Sequence, residues 1–245
     1  MATRNLSIPI LVLTLLTAFT VPCRAQGWFN LSWADCGTFG GGARTFACNS
    51  NSSSFPIIVS AIPSAPMTQL NGMRAVLHIT TMELTPPSWW QLGTGGCRDG
   101  ALSANFDFTS STFNCLDVWG GQATGGLTYT AGMGTEAATI TLSCAVPAGV
   151  SVDDQTEMYL GAIVLNTTKT TGTGSCPGCT HPACIWLDSV RLMQPAGVGD
   201  QVITNWLNRG SVTWLNFVPL FSLSCPPGPD PTRRSTWGGV KSLYR

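Results

Sequence analysis

Residues 174–192, GSCPGCTHPACIWLDSVRL, decide more about this fold than any other stretch of the chain. Three of the ten cysteines and one of the two histidines fall within residues 176–184. An alternating segment, 184–192, follows at once, and such alternation is typical of a β-strand with one buried face. The stretch therefore predicts a cross-linked loop that leads directly into a core strand.

Eight further segments have strand character, because apolar residues alternate with polar ones or form short runs between turn residues. They are 55–62, 73–84, 101–109, 126–130, 135–146, 157–170, 201–204 and 211–217. Asn71 and Gly72 predict a turn before the second of these, and the last two predict a terminal hairpin. Helical periodicity is lacking, so the pattern predicts an all-β fold: a single β-sandwich, jelly-roll or immunoglobulin-like, of about nine strands.

The N-terminus has the layout of a secretory signal peptide, residues 1–25. Arg4 supplies positive charge, residues 8–21 are apolar, and Ala25 is a small residue at the cleavage position. An uncleaved anchor is the alternative, but about 14 apolar residues fall short of the roughly 20 that span a bilayer. We therefore expect a protein that is secreted or held at the cell surface, with no membrane span after cleavage.

Two further regions follow the signal peptide. The β-sandwich domain is predicted to cover residues 26–225, and residues 226–245 form a Pro-rich linker and a basic tail. Residues 26–232 hold six basic residues and all 12 acidic ones, a formal charge of −6. An acidic body argues against nucleic acid as a partner.

Cleavage leaves nine cysteines, which in an exported protein predict a disulfide framework. They are Cys36, Cys48, Cys97, Cys115, Cys144, Cys176, Cys179, Cys184 and Cys225. Spacing favours local pairs, Cys36 with Cys48 and Cys97 with Cys115. Because nine is odd, at least one thiol is free, bound to something or paired between chains.

The cysteine segment itself admits several chemistries. Cys176, Cys179, His181 and Cys184 have the ligand types of a zinc site. A redox pair would need a strand before it and a helix after it, and haem attachment would need a histidine where Thr180 stands. Oxidation outside the cell favours disulfides instead: two of the three cysteines paired locally, and the third bonded to Cys144 or Cys225.

Acidic residues offer two further sites. Asp153, Asp154 and Glu157 form an acidic cluster that could ligate calcium, although its spacing favours a solvated turn. Glycoside hydrolysis needs two carboxylates at a suitable separation, for which the candidates are Asp107, Asp117, Glu136 and Asp188. Nothing pairs these four in sequence, and hydrolase motifs are lacking. The sequence thus predicts neither an enzyme nor a cofactor.

Tryptophan, with nine residues, is the strongest functional signal. Trp89 and Trp90 lie in a predicted loop, where flat rings can stack on sugars or on a protein partner. Three asparagines, Asn30, Asn51 and Asn166, are in glycosylation sequons, which matter only in a source that glycosylates secreted proteins in this way.

The chain resembles a group of secreted, Cys-rich β-sandwich proteins of uncultured bacteria. The similar segments are SWADCG, ANFDF with CLD, CPGC with PACIWLDSVRL, and the ending STWGGVKSLYR. The resemblance implies no particular activity. It implies that the tail is a sorting or attachment signal, carried by Thr236, Trp237, Gly238, Lys241, Leu243, Tyr244 and Arg245.

These observations predict a non-catalytic binding module outside the cell, whose ligand is an extracellular glycan or a protein partner. The alternative is a structural subunit of an extracellular assembly, linked through the odd cysteine or the basic tail. A polysaccharide hydrolase is the third hypothesis. The sequence leaves the ligand, the disulfide connectivity and the oligomeric state open.

Overall fold

The structure is a computed structural model that describes residues 27–83, 85–109, 111–132, 136–215 and residue 225, with side chains at 136 and 137 excluded. It contains twelve strands and one 3₁₀ turn, Ser88–Trp90. The strands are β1 Trp28–Trp33, β2 Ala43–Arg44, β3 Ser54–Ile62, β4 Met67–Thr81, β5 Leu102–Asn105, β6 Leu116–Asp117, β7 Thr124–Ala131, β8 Glu136–Val152, β9 Met158–Asn166, β10 Ala183–Met193, β11 Gln201–Ile203 and β12 Ser211–Trp214.

These strands form two sheets that pack as a sandwich. The smaller sheet has the order β1-β3-β9-β5, with β6 beside β9. The larger has the order β2-β12-β10-β4-β8-β7, with β11 beside β10. The two sheets are in close contact at Gly161 of β9, where a Cβ atom added to the glycine would lie 3.1 Å from Leu142 Cδ2 of β8. The predicted disulfide-stabilised all-β sandwich is therefore confirmed.

The period-two pattern of the long strands sets which face is buried. β4, β8 and β10 are adjacent in the larger sheet, and their apolar side chains turn toward the smaller one. On β4 these are Met73, Ala75, Leu77 and Ile79, each at most 1 % exposed. The residues between them consequently line the opposite, outer face of the larger sheet.

Several predicted strands are confirmed with new boundaries, and the predicted 126–130 edge strand is β7, at the end of the larger sheet. Two predicted turns are wrong. Asn71 and Gly72 lie inside β4, where the register shifts between Leu70 and Gly72. β11 and β12 form no hairpin, because each pairs with a different part of β10. Bulges and strand order, which set these features, leave little trace in the alternation pattern.

The disulfides join distant segments, so both predicted local pairs are wrong. The bonds are Cys36–Cys115, Cys48–Cys179, Cys97–Cys176 and Cys184–Cys225. Their sequence separations run from 41 to 131 residues. Cysteines pair when the fold brings their Cα atoms to about 6 Å, and here the sandwich brings together segments that are far apart in sequence.

Cys144 is the free cysteine among the described residues. It lies on β8 with 4 % of its surface exposed, and burial raises the pKa of its thiol to about 12. The prediction of at least one unpaired thiol is confirmed. However, a buried neutral thiol is poorly placed to link two chains, so Cys144 gives no support to the hypothesis of assembly through the odd cysteine, which stays a prediction.

Candidate functional site

The predicted aromatic platform of Trp89 and Trp90 is buried. Both side chains are 0 % exposed, and their rings pack against each other and against Trp214, with centroids 4.8 to 5.7 Å apart. In a strand, adjacent side chains face opposite ways, but these two residues lie in a 3₁₀ turn, where that rule does not apply. Their assignment as ligand-binding residues is therefore wrong.

Arg98 secures this turn from inside the protein. Its side chain is 0 % exposed, and its guanidinium lies 3.6 Å from the Trp89 ring centroid. The guanidinium donates hydrogen bonds to the carbonyl oxygens of Thr168, Trp89 and Asn166. Burial lowers the pKa of Arg98 to about 9, so the group remains charged at neutral pH. Its contacts are those of a structural arginine.

The cysteine segment connects three parts of the fold. Cys176, Cys179 and Cys184 each form a disulfide with a different distant cysteine. The prediction of a cross-linked loop is confirmed, and the bond to Cys225 is one of the two predicted, but the local pair is wrong. With all three sulfurs in disulfides, none is a thiolate, so the zinc hypothesis is wrong for the oxidised protein.

His181, the remaining predicted zinc ligand, pairs with a carboxylate instead. Its Nδ1 atom contacts Glu83 Oε1, and both side chains are partly exposed. The other carboxylate oxygen, Oε2, is buried and has no hydrogen-bond partner among the described residues. This pair joins the end of β4 to the cysteine segment.

The acidic cluster does not converge on a cation. Asp153 accepts hydrogen bonds from the Gln155 and Thr156 amides, which hold the pKa of its carboxyl below the usual value. Glu157 instead accepts from Asn30 and Ser60, at 2.7 and 2.6 Å. In the described part of the chain no three such side chains form a metal-binding group, so the calcium hypothesis for Asp153, Asp154 and Glu157 is wrong.

The four carboxylates considered for hydrolysis have separate positions. Asp107 accepts from Thr109, and Asp117 accepts from the amides of Trp119 and Gly120, so each stabilises a turn. Asp188 is exposed at a register shift in β10. The side chain of Glu136, the signal peptide and the tail motif lie outside what the structure describes.

The sequon asparagines are structural. Asn30 is 1 % exposed and accepts from the Asn208 amide at 2.9 Å. Asn51 accepts from the Thr170 and Thr171 amides, and Asn166 donates to Gly100 O and accepts from Thr168. Their amide groups are used within the fold.

The outer face of the larger sheet presents a different kind of surface, which we call the polar face. One row crosses five neighbouring strands through direct cross-strand pairs. Its members, in order from β12 to β7, are Ser211, Trp186, His78, Thr139 and Thr130. At about 4.8 Å per strand, the row is roughly 19 Å long. Hydroxyl groups thus flank two central rings.

Two further rows continue the polar face along the strands. Ser189, Val76, Thr141 and Thr128 form the second row. Arg191, Arg74, Ser143 and Gly126 form the third. The Arg191 guanidinium forms an ion pair with Asp200, 2.6 Å away. Neutral hydroxyls therefore dominate the face, and charge is concentrated at one end.

Trp186 and His78 form a stacked pair in the first row. Their ring centroids are 4.4 Å apart and their planes differ by 22°. Trp186 Nε1 donates to Thr80 Oγ1 at 3.3 Å, and His78 Nδ1 lies 3.3 Å from Thr139 Oγ1. Both side chains are half-buried. The pair is held in place by its neighbours while part of its surface faces solvent.

A small concavity lies at another part of the sandwich. The pocket has a volume of about 230 Å³ and is lined in part by Phe46, Phe55 and the Cys48–Cys179 disulfide. The Phe46 and Phe55 ring centroids are 3.7 Å apart, and the Arg44 guanidinium lies 5.5 Å from the Phe46 ring.

The sequence contained a signal for the polar face that our prediction did not use. The alternation of 73–84 and of 184–192 places His78 and Trp186 on the polar sides of their strands. Strand order was the missing information, since only the β4–β10 register makes the two residues neighbours. A pair of aromatic residues adjacent in sequence was the more visible pattern, and it was misleading.

Comparison with known proteins adds no relative. No family model matches the chain, and no curated protein matches it. Within the residues that the structure describes, no helix has the length and hydropathy of a membrane span. The four disulfides among the described cysteines fit an extracellular protein.

Proposed function

We propose that the protein is an exported, non-catalytic binding module and that the polar face binds an extracellular glycan. The supporting observation is the Trp186–His78 stacked pair, set between hydroxyl side chains in one row across five strands. This arrangement replaces the Trp89–Trp90 platform as the ligand-binding surface.

The chemistry of the polar face matches that of a sugar chain. A sugar ring has an apolar C–H surface and a rim of hydroxyl groups, so it needs an aromatic contact together with groups that both donate and accept. Ser and Thr hydroxyls do both, and Trp and His rings present flat apolar area with a polar atom at the edge. A row of about 19 Å is long enough for several sugar units rather than one.

The rigidity of the site supports binding. β4, β8 and β10 are central strands of the larger sheet, and their inner faces belong to the buried core. Side chains on such strands lose little further freedom when a ligand binds, which reduces the entropic cost of association. The disulfide from Cys184 in β10 to Cys225 adds a covalent restraint close to Trp186.

A glycan array with the full mature chain, followed by calorimetry on the best ligand, tests this function. We expect Trp186→Ala to weaken binding at least about tenfold, the loss of roughly 1.4 kcal/mol. Trp206→Ala is the matched control, because Trp206 is 50 % exposed but is bridged to Phe29 of β1 and belongs to none of the three rows of the polar face. It should bind as the unmodified protein does.

Two results would contradict the proposal. One is the absence of binding to any glycan on the array by the folded protein. The other is binding that Trp206→Ala weakens and Trp186→Ala does not, which would move the site to the β1 side of the smaller sheet. Circular dichroism of each variant shows that it has folded before its binding is compared.

A further inference from the structure

Two arginines lie side by side in the third row of the polar face. Arg74 of β4 is the direct cross-strand partner of Arg191 of β10, and both side chains are exposed. Like charges at directly opposed positions of two antiparallel strands repel each other and destabilise the sheet. The stability of the fold therefore gives no reason for this pair of residues.

The two guanidinium groups differ in their partners. Arg191 Nε donates to Asp200 Oδ2 at 2.7 Å, and Arg191 Nη2 lies 2.6 Å from the same oxygen. The Gln194 amide fixes this carboxylate by donating to Asp200 Oδ1 at 3.0 Å. Among the described residues, no group accepts a hydrogen bond from the Arg74 guanidinium or forms an ion pair with it. Asp200 thus neutralises Arg191, and the positive charge of Arg74 remains at this end of the face.

The surroundings of Arg74 leave room for a ligand. On the side away from Arg191, its cross-strand neighbour is Ser143 of β8, whose exposed hydroxyl can both donate and accept hydrogen bonds. The next residue of the row is Gly126 of β7, where an added Cβ atom would have no other heavy atom within 4 Å apart from its chain neighbours. A hydrogen-bonding group and open space therefore lie beside the Arg74 side chain.

Arg74 shares its strand and its face with one ring of the aromatic pair. His78 is four residues further along β4, and Val76 lies between the two on the same face. At about 3.3 Å per residue, the Cα atoms of Arg74 and His78 are roughly 13 Å apart. This distance is shorter than the row of about 19 Å, so one oligosaccharide can contact both positions.

We propose that the polar face is selective for glycans that carry an anionic group, a carboxylate or a sulfate, and that Arg74 binds this group. The inference rests on the proposed glycan-binding function and adds the class of glycan. A guanidinium can donate two parallel hydrogen bonds to one oxyanion. The neighbouring Ser143 supplies a hydroxyl donor on the same face.

The acidic residues of the protein determine where on the face the anionic group can bind. Residues 26–232 carry a formal charge of −6, but charges more than about 8 Å from the ligand are largely screened at physiological ionic strength. Asp188 is exposed on β10, two residues from Trp186 and three from Arg191. It is therefore closer to the aromatic pair than to the third row. We expect the anionic group beside Arg74 and a neutral part of the glycan beside Trp186.

A comparison of charged and neutral ligands tests the inference. The full mature chain is applied to an array of uronic-acid, sulfated and neutral oligosaccharides, which distinguishes the two kinds of anionic group. Calorimetry follows with the tightest acidic ligand and its carboxyl-reduced or desulfated form, which keeps the backbone and loses the charge. Because the guanidinium is exposed, we expect the acidic form to bind about fivefold more tightly at low salt. The preference should decrease as salt is added.

Variants of Arg74 assign the preference to this side chain. Arg74→Gln should abolish the preference, so that the acidic and neutral forms bind within about twofold of each other. Arg74→Lys keeps the charge but loses the paired donors, and it should retain part of the preference. Arg44→Gln is the matched control, because it removes one positive charge from β2, where the guanidinium lies 5.5 Å from the Phe46 ring and outside the three rows. It should keep the full preference.

Three results would contradict the inference. Equal affinity of the unmodified protein for the two forms, or binding to neutral glycans only, would overturn it. The proposed function would stand in that case, provided that Trp186→Ala still weakens binding. A preference that Arg74→Gln and Arg44→Gln reduce equally would also overturn it, since the preference would then depend on net charge alone. Absence of binding to every glycan on the array would contradict both the function and the inference.

Discussion

The protein has two aromatic pairs in opposite environments, one buried and one on an outer face. Trp89 and Trp90 are adjacent in sequence and fully buried. Trp186 and His78 are 108 positions apart and stack on an outer face. The first pair contacts Trp214 and Arg98 in the interior, and the second is surrounded by hydroxyl groups. Rings that share a surface are thus placed by strand register, and adjacency in sequence says little about exposure.

The two regions also differ in how they are held. The buried pair lies between covalent restraints, because the Cys97–Cys176 disulfide connects the loop after Trp90 to the cysteine segment. Trp89 Nε1 donates to Thr170 Oγ1 at 3.0 Å, and its amide donates to Pro177 O at 2.9 Å. The outer pair is held by neighbouring side chains of the sheet, and the Cys184–Cys225 disulfide restrains β10 close to Trp186. We therefore expect substitutions in the buried region to affect stability, and substitutions on the polar face to affect binding.

The largest expected effect is that of Trp89→Ala. Removing a fully buried indole leaves a cavity, and the guanidinium of Arg98 loses its contact with the ring. The free energy of unfolding should therefore fall by about 3–5 kcal/mol. Guanidinium chloride denaturation, with the disulfides intact, measures the change. The control Trp206→Ala removes a half-exposed indole and should cost less than about 1 kcal/mol. Similar losses for both would contradict the buried position of Trp89.

Arg98→Met should have the next largest effect. Methionine keeps part of the apolar stem but removes the donors to three carbonyl oxygens. Buried carbonyls left without a partner cost about 1–3 kcal/mol, so we expect a loss of about 3 kcal/mol in the same denaturation experiment. Arg191→Met is the control, since that guanidinium is exposed and its ion-pair partner among the described residues is Asp200. A stability as high as that of the unmodified protein would contradict the structural role of Arg98.

The sequence was sufficient to predict the fold class, because alternation in β4, β8 and β10 reports directly which side of each strand is buried. It was not sufficient to predict the disulfides. Cys36 lies 79 residues from Cys115 and only 12 from Cys48, and loop-closure entropy favours the short span. The native pair forms because the fold brings the loop after β1 to the segment before β6, where Asn114 also donates two hydrogen bonds to Asp35.

The candidate site was missed for the same reason. His78 and Trp186 were each placed on the polar side of a strand by alternation, but the β4–β10 pairing that joins them is a long-range contact. Trp89 and Trp90 were misplaced because a predicted loop was expected to expose its rings, whereas these residues form a 3₁₀ turn that packs them into the core. The local pattern determines which face of a strand is buried, whereas the set of residues that share a surface depends on which strands are neighbours.

The smallest expected effect on stability is that of the outer pair. Cross-strand side-chain pairs contribute about 0.2–1 kcal/mol, so Trp186→Ala and His78→Ala should each lower the free energy of unfolding by about 1 kcal/mol. A double-mutant cycle isolates the coupling between the rings, and we expect about 0.5–1 kcal/mol. A cost near that of Trp89→Ala would mean that Trp186 serves the core. A small loss of stability combined with lost glycan binding would show that the two aromatic pairs have different roles: Trp89 and Trp90 stabilise the fold, and Trp186 and His78 bind. The reason is that only the outer pair can lose its rings without exposing the interior of the sandwich.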